Sequence, residues 1–156
     1  MGYGHEIRLL ADPVRGAGEQ YVRQRYAVEV AAIRARSKKA ATALVVLIDA
    51  DTGTVDERAR QLAQALASEG LRPRDQDENI AHFIPKRAIE TWTLCLHRHA
   101  VDEETSYRKD SRVDDQAIKG AALRFFEWTR PNFTLPDDAI PSLLAAIPEA
   151  LRIPAR

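Results

Sequence analysis

Along this 156-residue chain, runs of apolar residues alternate with stretches where apolar side chains recur every three or four positions. From residue 19 to about 36, Val22, Tyr26, Val30 and Ile33 fall at helical spacing and predict a helix. Residues 44–48 are uninterrupted aliphatics, which predicts a strand buried on both faces, as in a parallel sheet covered by helices. Val55, Ala59, Leu62 and Leu66 then define an amphipathic helix stopped by Gly70. Residues 80–84 form the next strand candidate, closed by Pro85, and residues 88–99 a helix. A further helix over about 114–129 carries Ala117, Ala121, Phe125 and Trp128 on one face, and a last one starts near Pro141, a residue suited to a first turn. Ahead of all these, residues 5–10 read as a short strand and 12–18 as a loop by their Pro and Gly content. Strands alternating with helices predict an α/β fold with a mainly parallel sheet and helices on both faces. The length predicts one domain, residues 1–156, with a helical C-terminal part from about 112.

Composition narrows the picture less than the pattern does. Apolar residues make 45% and charged residues 29% of the chain, ordinary for a globular protein, and the 23 basic side chains balance the 23 acidic ones. Overall charge therefore points to no polyanionic partner. A local basic block remains, formed by Arg23, Arg25, Arg34, Arg36, Lys38 and Lys39, whose plain reading is a solvated helix face. The single cysteine, Cys95, excludes an internal disulfide and fits a reducing, cytoplasmic setting. Its neighbours Trp92, Leu94 and Leu96 mark it as a core thiol. No apolar run approaches the roughly 20 residues of a membrane span, and no signal peptide opens the chain, so no membrane partner is expected.

Candidate chemistry concentrates where the strands end. Residues 44–48 run directly into Asp49-Ala50-Asp51-Thr52-Gly53. Extended geometry would point Asp49 and Asp51 the same way at the strand's carboxyl end, where open α/β sheets bind ligands. Two hard oxygen donors there suit Mg²⁺ or Mn²⁺; the plain alternative makes Asp49 a helix cap and Asp51 a turn residue. The second strand ends in Ile84-Pro85-Lys86-Arg87-Ala88-Ile89-Glu90-Thr91-Trp92, again placing an acid in the first turn of a helix. The helix dipole alone accounts for Glu90 there; the functional reading sets it beside Asp49 and Asp51, with Lys86 contacting a phosphate. Gly16-Ala17-Gly18 lacks the rest of a phosphate-loop or dinucleotide motif and reads as a plain loop. His97 and His99 are spaced so that they face apart on a helix, His82 reads as a core residue, and residues 102–104 as a solvated turn. Trp92 and Trp128 read as core anchors, with base stacking by Trp128 beside Arg130 as the alternative.

With both motifs in view, the chain resembles the TOPRIM (topoisomerase–primase) fold, a Rossmann-like arrangement in which a hydrophobic strand ending in Asp-x-Asp binds catalytic Mg²⁺. Val45 to Asp51 together with Ile84 to Trp92 look like a bacterial TOPRIM-like group, and residues 16–22 fit it as well; the resemblance spans about 7–130. It implies a Mg²⁺-dependent phosphoryl-transfer protein, foremost a nuclease on DNA or RNA. Asp49 and Asp51 would be metal ligands, Glu90 a further ligand or the residue orienting water, and Lys86 the phosphate contact. The chain departs from the family in lacking a convincing first strand ending in a catalytic glutamate: Glu6 lies within its strand candidate and Glu19 at a helix start. This implies either that an N-terminal βα unit is missing or that the protein does without that acid, and with it an exposed sheet edge prone to self-association. The rival expectations are a degenerate, non-catalytic TOPRIM-like module binding nucleic acid or a protein, and an α/β phosphotransfer domain whose first aspartate is a nucleophile.

Overall fold

The computed structural model describes residues 18–36 and 42–153. In chain order they form α1 (Gly18–Arg36), β1 (Leu44–Leu47), α2 (Val55–Ser68), β2 (Ile80–Phe83), α3 (Ile89–Leu96), α4 (Asp115–Trp128) and α5 (Pro141–Ala150). The strand and loop expected over 5–17, Glu6 among them, and Lys38 and Lys39 lie outside the described residues.

The chain is α/β, with β1 and β2 paired in parallel as a two-stranded sheet, Leu44 opposite Ile80 and Leu47 opposite Phe83. The helical crossover α2 returns the chain in the same direction, as parallel pairing requires. Backbone pairing outlasts the formal strands: Ile48 N–H donates to Phe83 C=O (3.1 Å) and Ala50 N–H to Pro85 C=O (2.8 Å). Pro85 carries no N–H to answer, and the ladder stops there.

Two apolar clusters divide the sheet's faces. Tyr26, Ala27 and Val30 of α1 and Leu62 and Leu66 of α2 pack on Val46, Ile48, Ile80 and Ile84. On the other side Phe83 packs with Trp92, Phe125 and the remaining apolar residues of α3, α4 and α5. The helical spacings read from the sequence match these clusters; Trp128, at 6% exposure, is a core anchor rather than a surface ring. Burial of β1 is a correction. Val46, Ile48 and Ala50 are buried, but Val45 and Leu47 are 51% and 47% exposed. The second cluster is centred on Phe83 and leaves that side of β1 uncovered, so an aliphatic run here does not signify two covered faces.

Helix ends follow local chemistry. Thr54, not Asp49, caps α2: its hydroxyl accepts from Glu57 N–H (3.1 Å) while Glu57 Oε2 accepts from Thr54 N–H (2.8 Å). Gly53 leaves room for that carboxylate, since a Cβ there would stand 2.9 Å from Glu57 Oε2. At the far end Gly70 takes φ +68°, with Leu71 N–H reaching Leu66 C=O (2.9 Å), a left-handed termination. The same device ends α3 earlier than the expected residue 99. Arg98 takes φ +65° and His99 N–H bonds Leu94 C=O (3.0 Å), a stop that no glycine advertises in the sequence. Helix α5 has no side-chain cap of its own; Glu103 supplies one from a distant loop, accepting from Ser142 N–H (2.9 Å), and Ser142 Oγ accepts from buried Trp92 Nε1 (2.8 Å).

Candidate functional site

The carboxyl end of β1 leaves the sheet through a sharp turn. Extended pairing holds to Ala50, and Asp51 then adopts φ +55°, a left-handed conformation that aspartate tolerates better than most residues. Same-side presentation of Asp49 and Asp51 by strand geometry therefore does not apply, because the register breaks between them. Buried Arg58 secures the turn from inside α2, with Nε donating to Asp49 C=O (2.9 Å) and Nη1 to Gln61 Oε1 (2.6 Å).

The Asp49 side chain is partly buried, and Arg108 Nη2 donates to its Oδ2 (2.9 Å) while also bonding Arg87 C=O (3.0 Å). Burial pushes the Asp49 carboxyl above its ordinary range; the Arg108 hydrogen bond pulls it down, and the charges of Glu90 and Asp51 push it up again. The net shift is upward. Asp51 and Glu90 thus lie within electrostatic reach of Asp49 at one edge of the sheet. Asp51 Oδ1 stands 3.8 Å from Arg87 Nη1, and its backbone C=O accepts from Lys86 Nζ (3.3 Å). Glu90 lies in the first turn of α3 and has no hydrogen-bonding or ion-pair partner among the described residues.

A loop of which the sequence suggested only a solvated turn at 102–104 completes the arrangement. Between α3 and α4, Asp102 accepts from Thr105 N–H (2.7 Å) and Glu104 N–H (2.8 Å), folding a tight turn whose hydrogen bonds hold its carboxyl below the usual range. From that turn Glu104 reaches Lys86 (3.7 Å) and Arg87 (3.5 Å). The sequence assigned no site role to Arg58, Arg108 or Arg87, the last quoted only as part of its motif, and placed Glu104 in a solvated turn. Only Arg58 left a trace there, as a charge on the apolar stripe running from Val55 to Leu62. As described, no three His, Cys, Asp or Glu side chains among the described residues are grouped so as to hold a metal ion.

The remaining candidates are structural. His82 is buried, its Nε2 hydrogen-bonded to Tyr26 Oη (2.8 Å); burial drives the histidine down to about 4 and the tyrosine up to about 12, so both are neutral. His97 Nε2 bonds Ala117 C=O (2.8 Å), and His99 is exposed. Cys95 is a buried free thiol, pushed up by that burial. Of the basic block, Arg25 pairs with Glu29 (2.6 Å) and Arg34 with Glu78 (2.7 Å). No helix among the described residues is long and apolar enough to cross a membrane.

No family model matches the chain, and no curated protein or solved structure matches it.

Proposed function

We propose that this chain is a Mg²⁺- or Mn²⁺-dependent phosphoryl-transfer protein of TOPRIM-like type, acting as a nuclease on DNA or RNA. The observation that carries the proposal is the setting of Asp49: a partly buried carboxylate at the carboxyl end of β1, held by Arg108, with Asp51 and Glu90 within electrostatic reach. Hard carboxylate oxygens at the carboxyl end of a strand fit a divalent cation, and Asp49, Asp51 and Glu90 are the residues that would hold it. Such an ion would neutralise phosphodiester charge and lower the pKa of a bound water. Lys86 and Arg87, whose cationic groups already meet a carboxylate from Glu104, would seat the phosphate. Glu90, with no ion-pair partner among the described residues, would be a further metal ligand or would orient the attacking water.

The test is cleavage of DNA and RNA oligonucleotides in Mn²⁺, with Asp49→Asn and Asp51→Asn beside the wild type. Both variants should lose more than about 100-fold, the upper end of what even an outer-shell partner of a metal ligand costs. Cleavage that survives chelation and both substitutions would sink the proposal. A second reading, a non-catalytic module that binds nucleic acid, is favoured by one observation: arginines stand against both aspartates. It predicts oligonucleotide binding without turnover.

A further inference from the structure

The loop between α3 and α4 lays charges of opposite sign over the site. Glu104 approaches the bases, 3.7 Å from Lys86 Nζ and 3.5 Å from Arg87 Nη2. Four residues later Arg108 approaches the acids, 2.9 Å from Asp49 Oδ2. Both side chains are well exposed, 73% for Glu104 and 51% for Arg108, whereas their partners are more enclosed: 16% for Lys86, 26% for Arg87 and 33% for Asp49. The turn that carries Glu104 is closed by Asp102 Oδ2 accepting from Thr105 Oγ1 (2.7 Å), and Arg108 is also tied to the Arg87 carbonyl (3.0 Å). Each loop charge is the more exposed partner and each site charge the more enclosed one.

We infer that this loop is an internal stand-in for the ligands, with the Glu104 carboxylate on the phosphate seat of Lys86 and Arg87 and the Arg108 guanidinium on the cation seat of Asp49. The inference rests on the reading of the site proposed above and adds its regulation: phosphate and cation must displace the loop to bind. Exposed pairs are individually weak, so displacement is easy and the effect on affinity small. Affinity is reduced by the fraction of molecules in which the loop is closed, and removing one loop charge relieves only the seat it covers.

That crossed pattern gives the test, made on the full chain with Mn²⁺ alone and with inorganic pyrophosphate alone. Arg108→Gln should tighten Mn²⁺ binding about threefold to fivefold without tightening pyrophosphate, and Glu104→Gln should tighten pyrophosphate by a similar factor without tightening Mn²⁺. Lys109→Gln removes a neighbouring positive charge and should leave Mn²⁺ affinity at the wild-type value. An equal gain in Lys109→Gln would show that the Arg108 effect is only long-range charge and overturn the inference. Unchanged affinities in Glu104→Gln and Arg108→Gln would also overturn it. In that case loss of Mn²⁺ binding in Asp49→Asn would leave the parent reading standing. If wild type and all variants bind neither probe, the parent reading fails and takes the loop with it. Thermal midpoints within a few degrees of wild type establish that the loop variants are folded.

Discussion

Asp49 and Glu149 are both partly buried carboxylates paired with an arginine, the first just past the carboxyl end of β1 and the second beside β2. Glu149 lies on α5 against the outer edge of β2. There it accepts from Arg74 through both oxygens and from His82 N–H (2.8 Å), while Arg74 also donates to Ile80 C=O (2.9 Å). The pair thus satisfies the backbone groups that a third strand would have taken, and so blunts the edge. Burial pushes the Glu149 carboxyl up, but the bonds from Arg74 and His82 N–H outweigh it and hold the group below its usual range. Asp49 receives one side-chain donor, from an exposed arginine, and has Asp51 and Glu90 for neighbours; its shift is upward. Two partly buried, arginine-paired carboxylates thus have opposite electrostatics. The number of donors aimed at the carboxylate, and the sign of what surrounds it, separates an acid that holds the fold from one held by the fold.

The largest expected effect comes from breaking the satisfied side. Glu149→Leu leaves Arg74 and His82 N–H without their acceptor and should cost about 2–4 kcal/mol of stability at neutral pH. Adding Arg74→Met should recover part of that loss, because a buried charge no longer stands alone. Because Glu149 titrates below its unfolded value of about 4.3, its contribution is complete above that pH and fades as pH falls through the folded value. The gap between wild type and Glu149→Leu in urea midpoints should therefore narrow towards pH 3. His82, held down to about 4 chiefly by burial, charges over the same range, and because the Glu149 charge favours its charged form, part of the change in the gap reports the histidine. A gap that does not change with pH would mean that the Glu149 side chain acts through packing alone.

The sequence made the fold's frame readable and the site only half so. Helix spacings, the parallel pairing and the placing of Asp49, Asp51 and Glu90 at one sheet edge all follow from local periodicity and from the crossover. Glu104 and Arg108 do not, because they come from an irregular loop with neither period nor motif, and Arg108 meets Asp49 across 59 positions of chain. The sheet's outer edge was equally silent: Arg74 and Glu149 are 75 positions apart and look like ordinary surface charges. The exposure of Val45 and Leu47 depends on where the helices of the second cluster come to rest, which a run of aliphatics does not encode.

On the crowded side the expected change is smaller and reversed in sign. Asp49→Asn removes a carboxylate whose ionised form the folded state disfavours, at the cost of weakening the Arg108 bond. With the folded value above the unfolded one, the native state binds more protons between them, and wild-type stability falls as pH rises through that window above about 4. Asp49→Asn lacks that slope and should be more stable at pH 7 by no more than about 1 kcal/mol, while losing Mn²⁺ binding. Destabilisation as large as that of Glu149→Leu would erase the contrast and make Asp49 a structural acid.

The smallest effect sharpens the comparison at a single backbone position. Asp51 pairs only loosely with Arg87, at 3.8 Å, and sits at φ +55°. A left-handed residue other than glycine is strained by roughly 1–2 kcal/mol, less for aspartate, whose short polar side chain can bond locally. Asp51→Gly removes that strain and one of the charges pressing on Asp49, but gives the unfolded chain more freedom. The balance should be a gain of about 0.5 kcal/mol, with the upward shift of Asp49 diminished because one of its two acidic neighbours is gone. NMR titration of the Asp49 carboxyl carbon in wild type and Asp51→Gly reads the electrostatic part separately from stability. An Asp49 titration that does not move would show that Asp51 turns its charge away from the site, leaving Glu90 as the sole neighbour in the acidic group.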